Sequence, residues 1–399
     1  GGACMRDMVS QGAGRLEPSL IRTVLDRAAA LRGEGHKVIP FSAGEPNFDT
    51  PSPIKAAAQR AIEENYTHYT SNRGLPGLRT IIARMMERAT GASYDPETEI
   101  IVTSSGAEAL NNTIHAFVGE GDEVIIPTPA FVSYKNLVKF TGAAVVEVPL
   151  PPGECFRLDA KAIQARITPR TKMIILNNPN NPSGAVYTRE DLEAVAGLAA
   201  EHDLLVLSDE MYSRLVYDGA EFVSVASLPG MRERAIVISG FSKSYAMTGW
   251  RLGYIIADRA LIPPLLKVHQ YSTTCSPTFI QKGLVDSLED PQTEKEVREM
   301  LDAFARRRQV ILAGLEKIPG LTPITPKGAF YVTVDVSATG MNGMDFANRL
   351  LEEKFVATVP AIAFDGDTAS LIRISYAASD EDIQEGLKRL EAFVRERKG

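Results

Sequence analysis

Cysteine is scarce, with three in 399 residues (Cys4, Cys155 and Cys275). So few thiols cannot build a disulfide framework, and none is spaced as a zinc site, so reduced thiols are expected. The five histidines show no metal-binding spacing such as H-E-x-x-H, and each reads as solvent-facing or capped. No apolar run approaches the ~18 residues of a membrane span. The opening GGACMRDMVS lacks the apolar core of a secretory signal. Positive charge is also short: 43 Lys+Arg against 50 Asp+Glu leave a formal charge of −7. Such a chain has no general field to hold nucleic acid or an anionic membrane, so any anion it binds must be held by a local group of residues. Neither a Walker loop nor a dinucleotide fingerprint occurs. The expectation is a cytoplasmic protein without nucleic-acid or membrane partners.

What is present is ordinary globular composition, with 44% hydrophobic and 23% charged residues. Residues 1–15 have little apolar periodicity and read as a loose arm. PSLIRTVLDRAAALRGEG reads as a helix, with Pro18 near its start and Gly33 and Gly35 at its end. Short apolar runs then recur at EIIVT, EVIIP, AVVEV, KMIIL, LLVLS, AIVIS and GYIIA, most with amphipathic segments between them. Alternating β and α signals over some 200 residues predict an α/β fold with a mostly parallel central sheet flanked by helices. After about residue 288 the pattern becomes α+β, which suggests a smaller domain. The expected division is an arm (1–15), a small domain (16–50 plus 288–399) and a large cofactor-binding domain (51–287).

Open α/β sheets place ligands at the carboxyl ends of their strands. Three such ends carry unusual polar residues: NNPNNPSG (177–184), DEMY (209–212) and GFSKSYAMTGWRLGY (240–254). Taken singly, Asp209 reads equally as a helix cap, Lys243 as a surface lysine and Arg251 as an ion-pair partner. Together they bring an Asn, an Asp, a Tyr, a Lys and an Arg to one crevice. A lysine held there beside Arg251 should have its amine pKa lowered, and a neutral amine forms a Schiff base with an aldehyde. Asp209 fits the carboxylate that keeps a pyridinium nitrogen protonated, and Arg251 can offer a bidentate fork to a phosphate. TSSGAEALNNTIHAF (103–117) reads as a strand end, a small-residue turn and a helix start, where the amides of Ser105, Gly106 and Ala107 bind an anion without net positive charge.

SAGEPNFDTP, YTSNRGLPGLR, NNPNNPSG, SDEMY and GFSKSYAMTGWRLGY occur in one order. On these motifs the chain, from about residue 16 onward, resembles the class I/II aminotransferases of fold type I, the aspartate aminotransferase superfamily. The resemblance implies a pyridoxal 5'-phosphate enzyme, acting on amino acid and 2-oxo acid substrates as a homodimer. It implies that Lys243 holds the cofactor as a Schiff base and then shuttles the proton. Asp209 would pair with the pyridine nitrogen, and Asn181 and Tyr212 with the phenolic oxygen. Phe131 would stack on the ring. Ser242, Arg251 and the Ser105–Ala107 turn would hold the phosphate, with Tyr69 reaching the phosphate of the neighbouring subunit. Arg373 would grip the substrate α-carboxylate, to which Gly44 adds a backbone contact.

Some positions depart from the family pattern. Gly240 stands where many relatives carry a serine, and Ala361 and Asp365 where relatives often show glycines. Ala107 stands where one aspartate-specific branch has a lysine for the distal carboxylate. No arginine lies near Tyr271 like the one other aspartate enzymes borrow from the neighbouring subunit. The expectation is a broad, aromatic or apolar amino donor, with a β-lyase or another reaction of the same cofactor as the alternative.

Overall fold

The computed structural model describes residues 8–397. Seven strands form the central sheet: β2 (Ile100–Thr103), β3 (Glu123–Thr128), β4 (Ala144–Pro149), β5 (Thr171–Asn177), β6 (Leu205–Asp209), β7 (Ala235–Gly240) and β8 (Gly253–Ala257). A two-residue strand, β1 (Ile39–Pro40), precedes them. The sheet order is β2-β8-β7-β6-β5-β3-β4. Only β8 runs antiparallel to its neighbours, so the expected mostly parallel sheet is present.

The near-continuous apolar runs follow from burial on both faces. Successive side chains point to opposite faces. Ile174 and Leu176 of β5 therefore join Val206 and Val237 in one core, under the helices Pro76–Thr90 and Arg189–Glu201. Met173 and Ile175 join Leu207, Ile236 and Ile238 in the other, under the helix Ser105–Phe117.

A second sheet, antiparallel and of order β12-β13-β10-β9, is built from β9 (Thr322–Ile324), β10 (Tyr331–Asp335), β12 (Val359–Pro360) and β13 (Leu371–Ser375). Helices Pro291–Glu316, Gly343–Lys354 and Asp380–Arg395 pack on it around Phe304, Phe346 and Phe393. The N-terminal helix Leu20–Gly33, capped by Ser19 rather than opening at Pro18, buries Val24, Ala28 and Leu31 against Leu351 and Ala357. In the same region β1 pairs in parallel with β11 (Val356–Ala357). Both ends of the chain thus share one apolar cluster.

Two expectations need correction. The loose arm is ordered where it is described: Gln11–Gly14 form a helical turn capped by Ser10. Gly12 lies so close to the helix Val132–Phe140 that an added Cβ would stand 2.9 Å from the Phe140 carbonyl oxygen; residues 1–7 of the arm lie outside the described residues. His269, expected to be solvent-facing or capped, does not face solvent: it is fully buried, with Nδ1 2.7 Å from Glu108 Oε2. Sequence spacing does not reveal a pair whose members lie 161 positions apart. Cys155 and Cys275 are unpaired, and Cys4 lies outside the described residues. Among the described residues no helix is long and apolar enough to cross a membrane.

Glu210, directly after β6, is 3% exposed and accepts hydrogen bonds from Ser208 Oγ (2.8 Å) and Ser224 Oγ (2.9 Å). Burial, only partly offset by these bonds, pushes its carboxyl up to about 7. A folded-state value above the unfolded one means stability that is complete below about 4.5 and is lost as pH rises through about 7. The loss amounts to about 3 kcal/mol for a displacement of this size. Glu210→Gln should therefore flatten the decline of unfolding free energy between pH 5 and 8, measured by urea titration. An unchanged slope would show that Glu210 is not its source.

Candidate active site

At the carboxyl ends of β5, β6 and β7 opens a cleft of ≈ 820 Å³. Asp209, the last residue of β6, lies on its floor. Tyr134 Oη donates to Asp209 Oδ2 at 2.6 Å, and the Met211 amide donates to Oδ1 at 3.2 Å. Burial raises the Asp209 carboxyl above the usual range, opposed by these two donors and by Lys243. Burial also holds the Tyr134 phenol well above its ordinary value, with the Asp209 charge adding to the effect, so the proton of this bond stays on Tyr134.

Lys243 follows β7, and its Nζ donates to the Gly44 carbonyl and stands 5.9 Å from the Tyr212 ring centroid. Its pKa is lowered to about 8. The direction is the expected one, but the main cause is burial; among the cations Arg373 contributes more than Arg251, and Glu45 and Asp209 oppose. Desolvation penalises the ammonium whatever stands beside it.

The helix Ser105–Phe117 starts at the cleft without a side-chain cap, which leaves its N-terminal amides for an anion. Two glycines give this turn its room. A Cβ on Gly253 would stand 2.7 Å from the Gly106 nitrogen, and one on Gly106 would stand 2.5 Å from Met211 Cε. Ser105 itself has φ +83°, backbone that costs energy for a side-chain-bearing residue. Gly240, the departure from the family serine, is also hemmed in: its Cβ would stand 3.0 Å from both Gly253 Cα and the Leu252 carbonyl. Arg251 flanks the turn at φ +56°, its Nη1 donating to the Thr248 carbonyl at 3.0 Å. Thr248 Oγ1 donates in turn to Glu45 Oε1 at 2.9 Å.

On the opposite wall, Arg373 of β13 is 3% exposed. Its Nη1 donates to Asn181 Oδ1 (2.8 Å) and its Nη2 to the Ser42 carbonyl (3.2 Å). Its buried Nε has no partner. Asn181 is itself placed by its amide, which donates to Asn177 Oδ1 at 2.8 Å. Tyr212 Oη lies 2.8 Å from Tyr331 Oη.

Lys243, Asp209, Tyr212, Asn181, Ser242, Arg251, Arg373, Phe131, Gly44 and the Ser105–Ala107 turn all line this one cleft. Tyr69 does not line it, and its side chain is 87% exposed. The sequence reading missed Tyr134, Asn177, Glu45 and Tyr331. It also missed the cover supplied by the N-terminal segment, where Leu16, Ile21 and Leu25 reach the cleft. That segment is tied down by Glu17, which pairs with Lys135 (2.8 Å) and Lys139 (2.5 Å); the two ammonium groups pull its carboxyl down to about 2. Lys135 also holds Asp365 at 3.0 Å, in a backbone of φ +62°, a conformation that favours glycine.

A lysine amine, a carboxylate, an anion-binding turn and a buried arginine converging at the carboxyl ends of a parallel sheet define a cofactor-dependent enzyme of amino acids. Residues 36–390 match the family described as aminotransferase class I and II. Over 96% of its length the chain is 41% identical to the aspartate aminotransferase of Pyrococcus abyssi, covering 97% of that protein. It is 39% identical, over the same shares, to aromatic-amino-acid aminotransferase 2 of Thermococcus litoralis. The crystal structure of an aromatic aminotransferase from Pyrococcus horikoshii superposes with a TM-score of 0.88 at 41% identity, covering 94% of this chain and 99% of that one. The chain belongs to the class I and II aminotransferases and is a pyridoxal phosphate-dependent aminotransferase.

The residues present fit that cofactor. The uncapped helix start and Arg251 suit its phosphate, Asp209 its ring nitrogen, Asn181 and Tyr212 its phenolic oxygen, and Lys243 its aldehyde. The unpartnered Nε of Arg373 leaves a donor for a substrate carboxylate.

Proposed function

We propose that this enzyme takes the amino group of an L-amino acid with an aromatic or apolar side chain and passes it to a 2-oxo acid, in two half-reactions at the same cleft. The observation that carries the donor class is the set of apolar side chains in the lining, Leu16, Ile21, Leu25, Leu110, Leu137 and Phe140. Lys243, Arg251 and Arg373 are the only Lys or Arg side chains lining the cleft among the described residues. All three have roles at the cofactor or the α-carboxylate, and burial lowers the pKa of His115, the one other basic side chain in the lining, so the described residues of the cleft offer no further cation for a distal carboxylate. Apolar walls favour apolar side chains by roughly 25 cal/mol per Å² removed from water.

The roles follow from the geometry. Arg373 fixes the α-carboxylate with a planar fork, which orients the Cα–H bond. Bound cofactor supplies an electron-withdrawing pyridinium that acidifies this bond. Asp209, held by Tyr134, keeps a negative charge where that ring nitrogen must carry its proton. Lys243 would hold the cofactor's aldehyde, and its amine, free when substrate is bound, would take the proton from Cα and return it within the cleft. Phe131 offers an aromatic face, 5.7 Å from the Tyr134 ring. Tyr69, 87% exposed in one chain, serves the cleft of a second copy in a homodimer.

A donor panel tests the substrate class. Phenylalanine, tyrosine, methionine and alanine should match or exceed aspartate in kcat/KM. Aspartate ahead of all of them by ~100-fold, about 2.7 kcal/mol, would sink the proposal.

A further inference from the structure

Tyr331 has no role in the reading above, yet it is wholly buried and lines the cleft. It opens β10, and the antiparallel register sets Tyr331 opposite Ser375 and Thr333 opposite Arg373. Tyr331 and Arg373 are therefore diagonal neighbours on one sheet face, and the Arg373 guanidinium lies 4.3 Å from the Tyr331 ring centroid. Tyr331 Oη meets Tyr212 Oη at 2.8 Å.

Two hydroxyls joined by one hydrogen bond have two protons and use only one between them. The unused proton must point elsewhere, and Arg373 decides which it is. A cation over a phenol ring stabilises developing negative charge on it. Burial raises the Tyr331 phenol, but Arg373 pulls it back. Tyr212 is held well above its ordinary value, by burial first and by Tyr331 next; Arg373, which lies over the Tyr331 ring, opposes there too but as a smaller influence than Tyr331. The more acidic phenol is the better donor, so Tyr331 donates to Tyr212, and the Tyr212 proton is left to face the cleft.

We infer that Tyr331 is a positioning residue: it fixes the direction of the Tyr212 hydroxyl, so that Tyr212 acts as a donor toward the cofactor's phenolic oxygen. The inference rests on the proposed pairing of Tyr212 with that oxygen. A donor there draws negative charge away from the nitrogen through which Lys243 holds the cofactor. Weakening the donor makes that nitrogen hold its proton more tightly.

The test is the pH titration of the visible absorbance of the holoenzyme, without substrate, in the wild type, Tyr212→Phe, Tyr331→Phe and the double variant. Each change removes only a hydroxyl. The expected result is a midpoint moved to higher pH in both single variants. For Tyr331→Phe the move should be roughly 0.3–1 pH unit, or twofold to tenfold in the proton equilibrium. In the double variant Tyr331→Phe should add nothing to Tyr212→Phe, because its effect passes through the Tyr212 hydroxyl. An unmoved midpoint in Tyr331→Phe overturns the inference while leaving the Tyr212 pairing intact. Full additivity in the double variant overturns it too, since Tyr331 would then act independently. An unmoved midpoint in Tyr212→Phe removes the pairing itself and the inference with it.

Discussion

Replacing Lys243 by alanine should lower kcat by ~10⁴-fold, the upper end of what a positioned proton carrier contributes. Borohydride treatment followed by unfolding should then leave no cofactor on the chain, whereas the wild type retains it covalently. Both effects come from one atom. Nζ is the amine within the cleft, 5.9 Å from the Tyr212 ring centroid, and among the described residues no other lysine lines the cleft. Its lowered pKa sharpens the expectation. With the amine at about 8, roughly a tenth is neutral at pH 7, against well under a thousandth for an ordinary lysine. Reconstitution of the wild-type apoprotein with pyridoxal phosphate should therefore speed up about tenfold per pH unit and level off above pH 8. The alanine variant should still bind the cofactor reversibly through Arg251, Ser242 and the Ser105–Ala107 turn. Residual activity above a few per cent would show that another group carries the proton.

Lys243 was legible in the sequence because a polar segment interrupts the chain directly after a strand buried on both faces, and such interruptions mark the carboxyl edge of a parallel sheet. Asp209 and Asn181 follow the same rule. Residues whose placement depends on sheet order were not legible. Tyr134 lies on the helix after β3 yet bonds the end of β6, because β5 alone stands between those strands. Tyr331 needs the β10–β13 register before it can be set beside Arg373. The N-terminal cover was half legible: Ile21 and Leu25 lie on a helix that the sequence does show, but the contacts that hold the segment over the cleft, through Ser10, Gly12 and the Glu17–Lys135–Lys139 cluster, produce no apolar period. The smallest error concerned cause rather than position. Arg251 does depress the Lys243 amine as expected, but burial contributes most and Arg373 more than Arg251, and neither ranking can be read from neighbours in sequence.

Asp209→Asn should cut kcat by ~10²- to 10⁴-fold, the equivalent of the roughly 3–5 kcal/mol lost when one member of a buried charge pair is removed. Asparagine keeps the size of aspartate but has one acceptor oxygen, so packing and one of the two hydrogen bonds, from Tyr134 or from the Met211 amide, persist while the charge does not. The variant separates charge from shape through pH. Burial raises the Asp209 carboxyl, and a raised carboxylate loses its charge at a pH above the ordinary aspartate range. In the loaded enzyme the protonated ring nitrogen opposes that rise, so the wild-type kcat should fall on the acid side only where protonation removes the charge facing the cofactor nitrogen. In Asp209→Asn the charge is absent at every pH, so this limb should vanish and kcat should stay low and flat. Tyr134→Phe should move the same limb to still higher pH, because the Tyr134 hydroxyl stabilises the ionised carboxylate at 2.6 Å. A kcat for Asp209→Asn within tenfold of wild type, or an acid limb retained in that variant, would mean that the charge at the ring nitrogen comes from elsewhere.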